Sequence, residues 1–154
     1  TGCDHAHRCP AAGPLGRGWH YALAATVLDA RFGATAGGRR IPGTARRSGW
    51  AELQWTPVGG TTLAVALHGS SRMPADDANS AWAPGQASID LTLEHAWQAG
   101  GVPLVAGWRL DNVLDHRAIG SVIVNASGGG YFEPAPGRRF LFTLGIGRAT
   151  TDRR

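Results

Sequence analysis

The sequence predicts an all-β protein: an antiparallel meander of about six long strands. Three observations predict it. Apolar residues recur at every second position through six separate segments, the period of a strand with one apolar face. The connections between those segments alternate between tight and long. Glycine is abundant, at 23 of 154 residues, and the residues that sustain long helices are few.

The segments follow one another in a regular way. Trp19, Tyr21, Leu23, Ala25 and Val27 alternate with His20, Ala22, Ala24 and Thr26. Ala51, Leu53 and Trp55 alternate with Glu52, Gln54 and Thr56, and Leu63, Val65 and Leu67 with Thr62, Ala64, Ala66 and His68. In SIDLTLEHAW, Ile89, Leu91 and Leu93 oppose Ser88, Asp90, Thr92 and Glu94. Leu104, Ala106, Trp108 and Leu110 form the fifth apolar row, and Phe140, Phe142, Leu144 and Ile146 the sixth. Between them, TPVGG and QAGG read as tight turns, whereas residues 33–48, 70–85 and 113–137 are long loops rich in Gly, Pro, Asn and Asp.

Two architectures fit this pattern. In a soluble β-sandwich the bulky face is a core and the other a solvated surface, and the Trp residues serve as core or as platforms for a carbohydrate ligand. In a transmembrane barrel the bulky face meets lipid, aromatics gather near strand ends, and each strand needs only about 9 to 11 residues. The second face here is rich in small residues such as Ala22, Ala64, Ser88, Gly107 and Gly145, a bland composition for a solvent surface. That favours the barrel wall. No apolar run approaches the roughly 20 residues of a transmembrane helix, and the opening TGCDHAHRCP has no apolar stretch of the signal-peptide kind.

The formal charge is +4 with every basic residue an Arg, but the arginines are scattered rather than gathered with aromatics on one face, so nucleic acid is not the expected partner. The one cluster, Arg39, Arg40, Arg46 and Arg47, falls in a Gly-rich loop; it reads either as a solvated loop or as a contact for phosphate-bearing lipid or an anionic ligand. A second loop set, Asp76, Asp77, Asn79 and Trp82, is either cargo contact or ordinary turn chemistry. Cys3, His5, His7 and Cys9 are weak metal candidates: the ligand types suit zinc, the spacing does not, and a tail or a disulfide reads equally from them. No Ser or Cys stands at motif spacing from His20, His68, His95 or His116, so no enzyme is expected and no cofactor is implied. Asp90, Glu94, Arg109 and Asp111 share the wet face, where opposite charges most often hold a lumen wall together.

The stretch RLDNVLDHRAIGSVIVNASGGGYFEPAPGRRFLFTLGIG, residues 109–147, resembles the C-terminal end of TonB-dependent outer-membrane receptors of the siderophore-receptor type. The shared words are Asp111, Asn112 and Asp115, then GSVIVN, then YFEPAPGR before the final strand. LDARF, IPGTARRSGWAELQW and DDANSAWAPGQASIDL upstream resemble the preceding strands and loops. The resemblance implies the C-terminal part of a 22-stranded transmembrane β-barrel in the outer membrane of a Gram-negative bacterium. It implies partners as well: outer-membrane lipid, the plug and remaining barrel strands of a full receptor, TonB through that full-length protein only, and a ferric siderophore or related scarce metal complex as imported cargo. Long loops would face outward and tight turns the periplasm, with GSVIVN and YFEP as an outer hairpin tipped by residues 125–130. Residues 18–148 carry the likeness; residues 1–17 are expected to be unstructured or foreign, and residues 149–154 a tail.

Overall fold

The computed structural model describes residues 8–33, 37–57 and 59–147. The alternating segments become strands β1 (Arg8–Gly16), β2 (Trp19–Val27), β3 (Arg47–Trp55), β4 (Thr61–Ser70), β7 (Gln86–Ala99), β8 (Val102–Asp111) and β11 (Arg139–Ile146). These seven form one antiparallel sheet in the order β1-β2-β3-β4-β7-β8-β11. Each main strand pairs with the next in sequence, so the sheet is a pure meander with all tight turns at one end and all long loops at the other. Two small hairpins stand in those loops: β5 (Met73–Pro74) with β6 (Trp82–Ala83), and β9 (Ile119–Val122) with β10 (Phe132–Pro134).

The predicted alternation survives pairing. Tyr21, Leu53, Val65, Leu91, Leu110 and Phe140 are cross-strand partners in one unbroken row, and Trp19, Trp55, Leu63, Leu93, Trp108 and Phe142 form the row nearer the tight turns. Every member of both rows lies on the same face, because register shifts of one residue would have flipped it. Aromatic pairs reinforce the second row: Trp19 stacks on Trp55 with ring centroids 5.7 Å apart, and Trp108 meets Phe142 at 5.4 Å.

Nothing covers that face among the described residues. Val65 remains 45% exposed, Phe142 55% and Ile146 81%, whereas the buried apolar residues are small ones, among them Pro74, Ala75, Ala83 and Ala106. A sandwich needs a second sheet packed about 10 Å away. The described residues supply a single layer, so the sandwich alternative is overturned for this chain.

Three features differ from the sequence pattern. The sequence assigns residues 1–17 to an unstructured or foreign segment, yet Arg8–Gly16 is an edge strand in register with β2, from Arg8 opposite Thr26 to Gly16 opposite Trp19. Pro10 and Pro14 disguise it. Both have the same parity in the strand, so both nitrogens, which have no proton to give, can point to the open edge. Second, the β9–β10 hairpin forms as expected but as a separate sheet, not as an extension of β8 and β11. Third, β5 and β6 pair inside a loop that carries no strand period.

At the tight-turn end, two glycines are required by close approach. Gly18 (φ 80°) and Gly60 (φ 78°) take left-handed conformations, and a Cβ on either would overlap a carbonyl, of Thr56 and Ala96 respectively. The same approach lets the Thr56 N–H donate to Gly18 O and the Ala96 N–H to Gly60 O, both at 2.8 Å.

Candidate functional site

Where the wet face meets the long loops, a cleft of about 470 Å³ opens over β4, β7, β8 and β11. Strand periodicity delivers its charged residues. Asp90 and Arg109 each sit at a wet-face position, and pairing in the β7–β8 ladder sets Thr92 opposite Arg109, so the guanidinium leans along the strand toward Asp90. Arg109 Nη2 lies 3.5 Å from Asp90 Oδ2, and its Nε donates to Asp111 Oδ1 at 2.5 Å. On the far side Arg139 Nη2 donates to Asp111 Oδ2 at 2.9 Å, and on the near side His68 Nε2 lies 3.5 Å from Asp90 Oδ2.

The result is a ladder of alternating charge, Asp90–Arg109–Asp111–Arg139, with the His68 ring at its near end, running across four strands. Its two carboxylates are matched by two guanidiniums. Such a ladder holds neighbouring strands in register; it offers neither a nucleophile nor an unmatched base. Glu94 shares the face, and among the described residues it forms no ion pair in the ladder. The sequence grouped Asp90, Arg109 and Asp111 correctly by parity. It did not reveal His68 and Arg139, whose neighbours come from strands 22 and 28 residues away in sequence.

The motif Asp111, Asn112 and Asp115 closes the cleft. Asn112, with φ 51°, donates its backbone N–H to Asp90 Oδ1 at 2.9 Å and exchanges two side-chain bonds with the His116 backbone. Asp115 Oδ1 accepts the Arg138 N–H at 2.9 Å and so ties the loop's start to the strand it leads into. Gln86 adds a two-bond bridge to the Ile119 backbone, both at 2.9 Å.

Above the cleft the loop residues singled out in the sequence are joined to one another. Asn79 accepts the Arg40 N–H and donates to the Arg40 and Asp76 carbonyls. Asp77 takes a bond from Asn125 Nδ2 at 3.0 Å and gives its N–H to Asn125 Oδ1 at 2.9 Å. Trp82 Nε1 donates to Asn79 O at 2.8 Å, and the Arg72 guanidinium lies 4.9 Å over the indole. Asp76 accepts from the Ser80 hydroxyl and from the N–H groups of Ser80 and Ala81, and these bonds, the hydroxyl first, hold its carboxyl below the usual carboxylate range. Asp76, Asp77, Asn79 and Trp82 therefore act in loop closure. Arg40 lies 3.6 Å from Asp29, which also takes the Arg31 guanidinium at 3.1 Å; Arg39, Arg46 and Arg47 are exposed. The Arg31 contact is the main reason the Asp29 carboxyl is held low.

Cys3, His5 and His7 lie outside the described residues, and Cys9 enters β1 opposite Ala25. Among the described residues no group of three or more His, Cys, Asp or Glu is placed to hold a metal ion.

No family model matches the chain. In structure it is similar to BauA, the ferric preacinetobactin receptor from Acinetobacter baumannii, with a TM-score of 0.74 at 13% identity, over 88% of this chain and 20% of that one. It is likewise similar to the siderophore receptor PiuA from Acinetobacter baumannii, with a TM-score of 0.69 at 16% identity, over 86% of this chain and 20% of that one. The chain spans about a fifth of the length of these receptors. At such low identity the likeness concerns the fold alone.

Proposed function

We propose that this chain is a section of the wall of a TonB-dependent receptor in the outer membrane of a Gram-negative bacterium, and that the complete receptor imports a ferric siderophore or a similar scarce metal complex. The observation that carries the reading is the uncovered apolar face of a single-layer sheet whose opposite face is polar and internally ion-paired. A sheet of that kind reaches a stable state when lipid takes the place of a second layer. The likeness to two siderophore receptors supports the choice of family and of cargo class.

Under this reading the wet face lines the lumen, and the charge ladder is wall structure near the outer mouth. The outward loops, with Arg39 and Arg40 in the first and Trp82 in the second, meet the cargo. Transport belongs to the whole receptor: the plug supplies the gated path, TonB supplies energy through the full-length protein, and this section alone moves nothing. Its β11 edge, which carries no proline, is where a further strand would pair.

The test is refolding of the chain with and without detergent or lipid vesicles, followed by far-ultraviolet circular dichroism and Trp fluorescence. Strand signal and blue-shifted Trp emission only with lipid are the expected result. A cooperative fold in plain buffer would refute a lipid-facing wall.

A further inference from the structure

The two edges of the sheet are unequal. Along an antiparallel strand the backbone groups of one residue turn to one neighbour and those of the next residue to the other. The Leu28 N–H donates to Arg46 O, which turns the even-numbered residues of β2 toward β3 and the odd-numbered ones toward β1. In the β1–β2 register Cys9, Ala11 and Gly13 therefore face β2, and Arg8, Pro10, Ala12 and Pro14 face the open edge. Two of those four outward residues have no N–H, so β1 is a sealed edge.

At the other edge the Gly147 N–H donates to Pro103 O at 2.9 Å. By the same alternation Leu141, Thr143 and Gly145 face β8, while Phe140, Phe142, Leu144 and Ile146 turn their backbone groups outward. Every residue of β11 is exposed, and among the described residues nothing pairs with this row of donors and acceptors. The row is self-complementary. Set antiparallel against its own copy with Thr143 opposite Thr143, it brings Phe140 to Ile146 and Phe142 to Leu144, so every outward N–H meets an outward C=O. Residues 140–146 carry no charge, so none is opposed. Slipping the pair by two residues toward the start of the strand sets Ile146 against Arg138, whose N–H is already given to Asp115.

We propose that β11 pairs with β11 of a second copy of this chain, in a two-fold dimer centred on Thr143. The inference rests on the wall reading, in which the sheet is one layer in an apolar medium. The two-fold axis stands normal to the sheet, so the apolar rows run on from one copy into the other and no residue changes face. Head-to-tail growth is opposed twice. The β1 edge is sealed, and in a seven-stranded meander β1 runs parallel to β11, so their junction would be a parallel seam. An isologous contact with no second open edge closes at two copies. The long loops of the two copies lie at opposite ends, so the dimer forms between copies free to turn, as in micelles. It occupies the same edge that the next strand of a receptor wall would take.

The experiment folds the full chain, carrying Cys3→Ser and Cys9→Ser, into uncharged maltoside micelles and measures the protein mass by sedimentation equilibrium in density-matched solvent. Two copies per particle are expected. Thr143→Cys in that background should form a disulfide between copies on mild oxidation, because a pair of this kind brings Cα atoms to about 4.5 Å. Leu141→Cys, which lies opposite Gly145 in the dimer, should not. Leu144→Pro removes an outward N–H and leaves the β8 ladder intact; it should weaken the dimer roughly 25-fold, about five-fold for each hydrogen bond lost. Pro10→Val/Pro14→Val should unseal β1 and yield particles of more than two copies. A folded monomer, or equal cross-linking of the two Cys variants, would overturn the dimer and leave the wall reading standing. A chain that circular dichroism shows to be unfolded in micelles overturns the wall reading and the dimer together.

Discussion

On the apolar face of the sheet Leu53, Val65 and Leu91 stay 41%, 45% and 39% exposed, while in the loop layer above it Pro74, Ala75 and Ala83 are almost fully buried. The larger region has the least dry interior, and the loop layer, whose regular structure here is only the two-residue strands β5 and β6, has the most. Loops ordinarily lie at the surface and lack a core. Here they are joined across long sequence distances by Asn79 and Asn125, so the loop layer is held by its own bonds. The sheet's ladder is complete inside, but the free energy of its apolar face depends on the medium that touches it.

The sharpest way to break this comparison is to charge the apolar face. Leu91→Arg should oppose insertion into vesicles by about 2 to 4 kcal/mol near the bilayer midplane, while Thr92→Arg, one residue on and on the opposite face of the sheet, should be far milder. Equal losses in a denaturant titration of the inserted chain would show that the two faces meet the same solvent.

A change in the loop layer should be smaller and local. Asn79→Ala removes three hydrogen bonds and asks Ala to hold φ 56°, for an expected loss of about 1 to 3 kcal/mol in the loops. Hydrogen exchange should then speed up at the Arg40 and Ala75 amides and stay unchanged in β4 and β7. Faster exchange throughout the sheet would mean that the two regions are not separately held.

Weaker still should be Arg139→Ala, which leaves Asp111 its bond from Arg109. The Arg139 side chain is more than half exposed, so the pair contributes about 0.2 to 1 kcal/mol. Fraying of β11 alone, seen by exchange at its backbone, is the expected result; loss of the β7–β8 pairing would make the ladder a larger contributor than this.

The most confined effect is that of acid on the loop. The Asp76 carboxyl is held below its usual value by the Ser80 hydroxyl and neighbouring N–H groups. Its folded pKa lies below its unfolded one, so its contribution is fully present above the unfolded pKa, near 3.8, and is lost as pH falls through the lower folded value. Amides of Ser80 and Ala81 should lose protection in that acid range. In Asp76→Asn the dependence should vanish; an unchanged acid response would assign it to another group.

Much of the candidate site was legible because it rides on strands. The period of two placed Asp90, Arg109 and Asp111 together on the wet face before any pairing was known, and Asp111, Asn112 and Asp115 stood out as a motif. Asn79 was legible only as a turn residue: its partner Arg40 lies 39 residues away, and no local pattern encodes that distance. The β1 strand was hidden by two prolines that an edge tolerates and a central strand does not.

By itself the sequence determined which side chains share a face, since successive residues in an extended chain point to opposite sides whatever surrounds them. It also marked TPVGG and QAGG as tight connections through their glycines, and Gly60 stands where the backbones approach too closely for a Cβ. The tertiary structure decided which strands are neighbours, that Arg139 completes the charge ladder, that Asn79 and Asn125 join three loops, and that none of the described residues forms a second layer over the apolar rows. Those are properties of register and long-range closure, which arise only when distant segments meet.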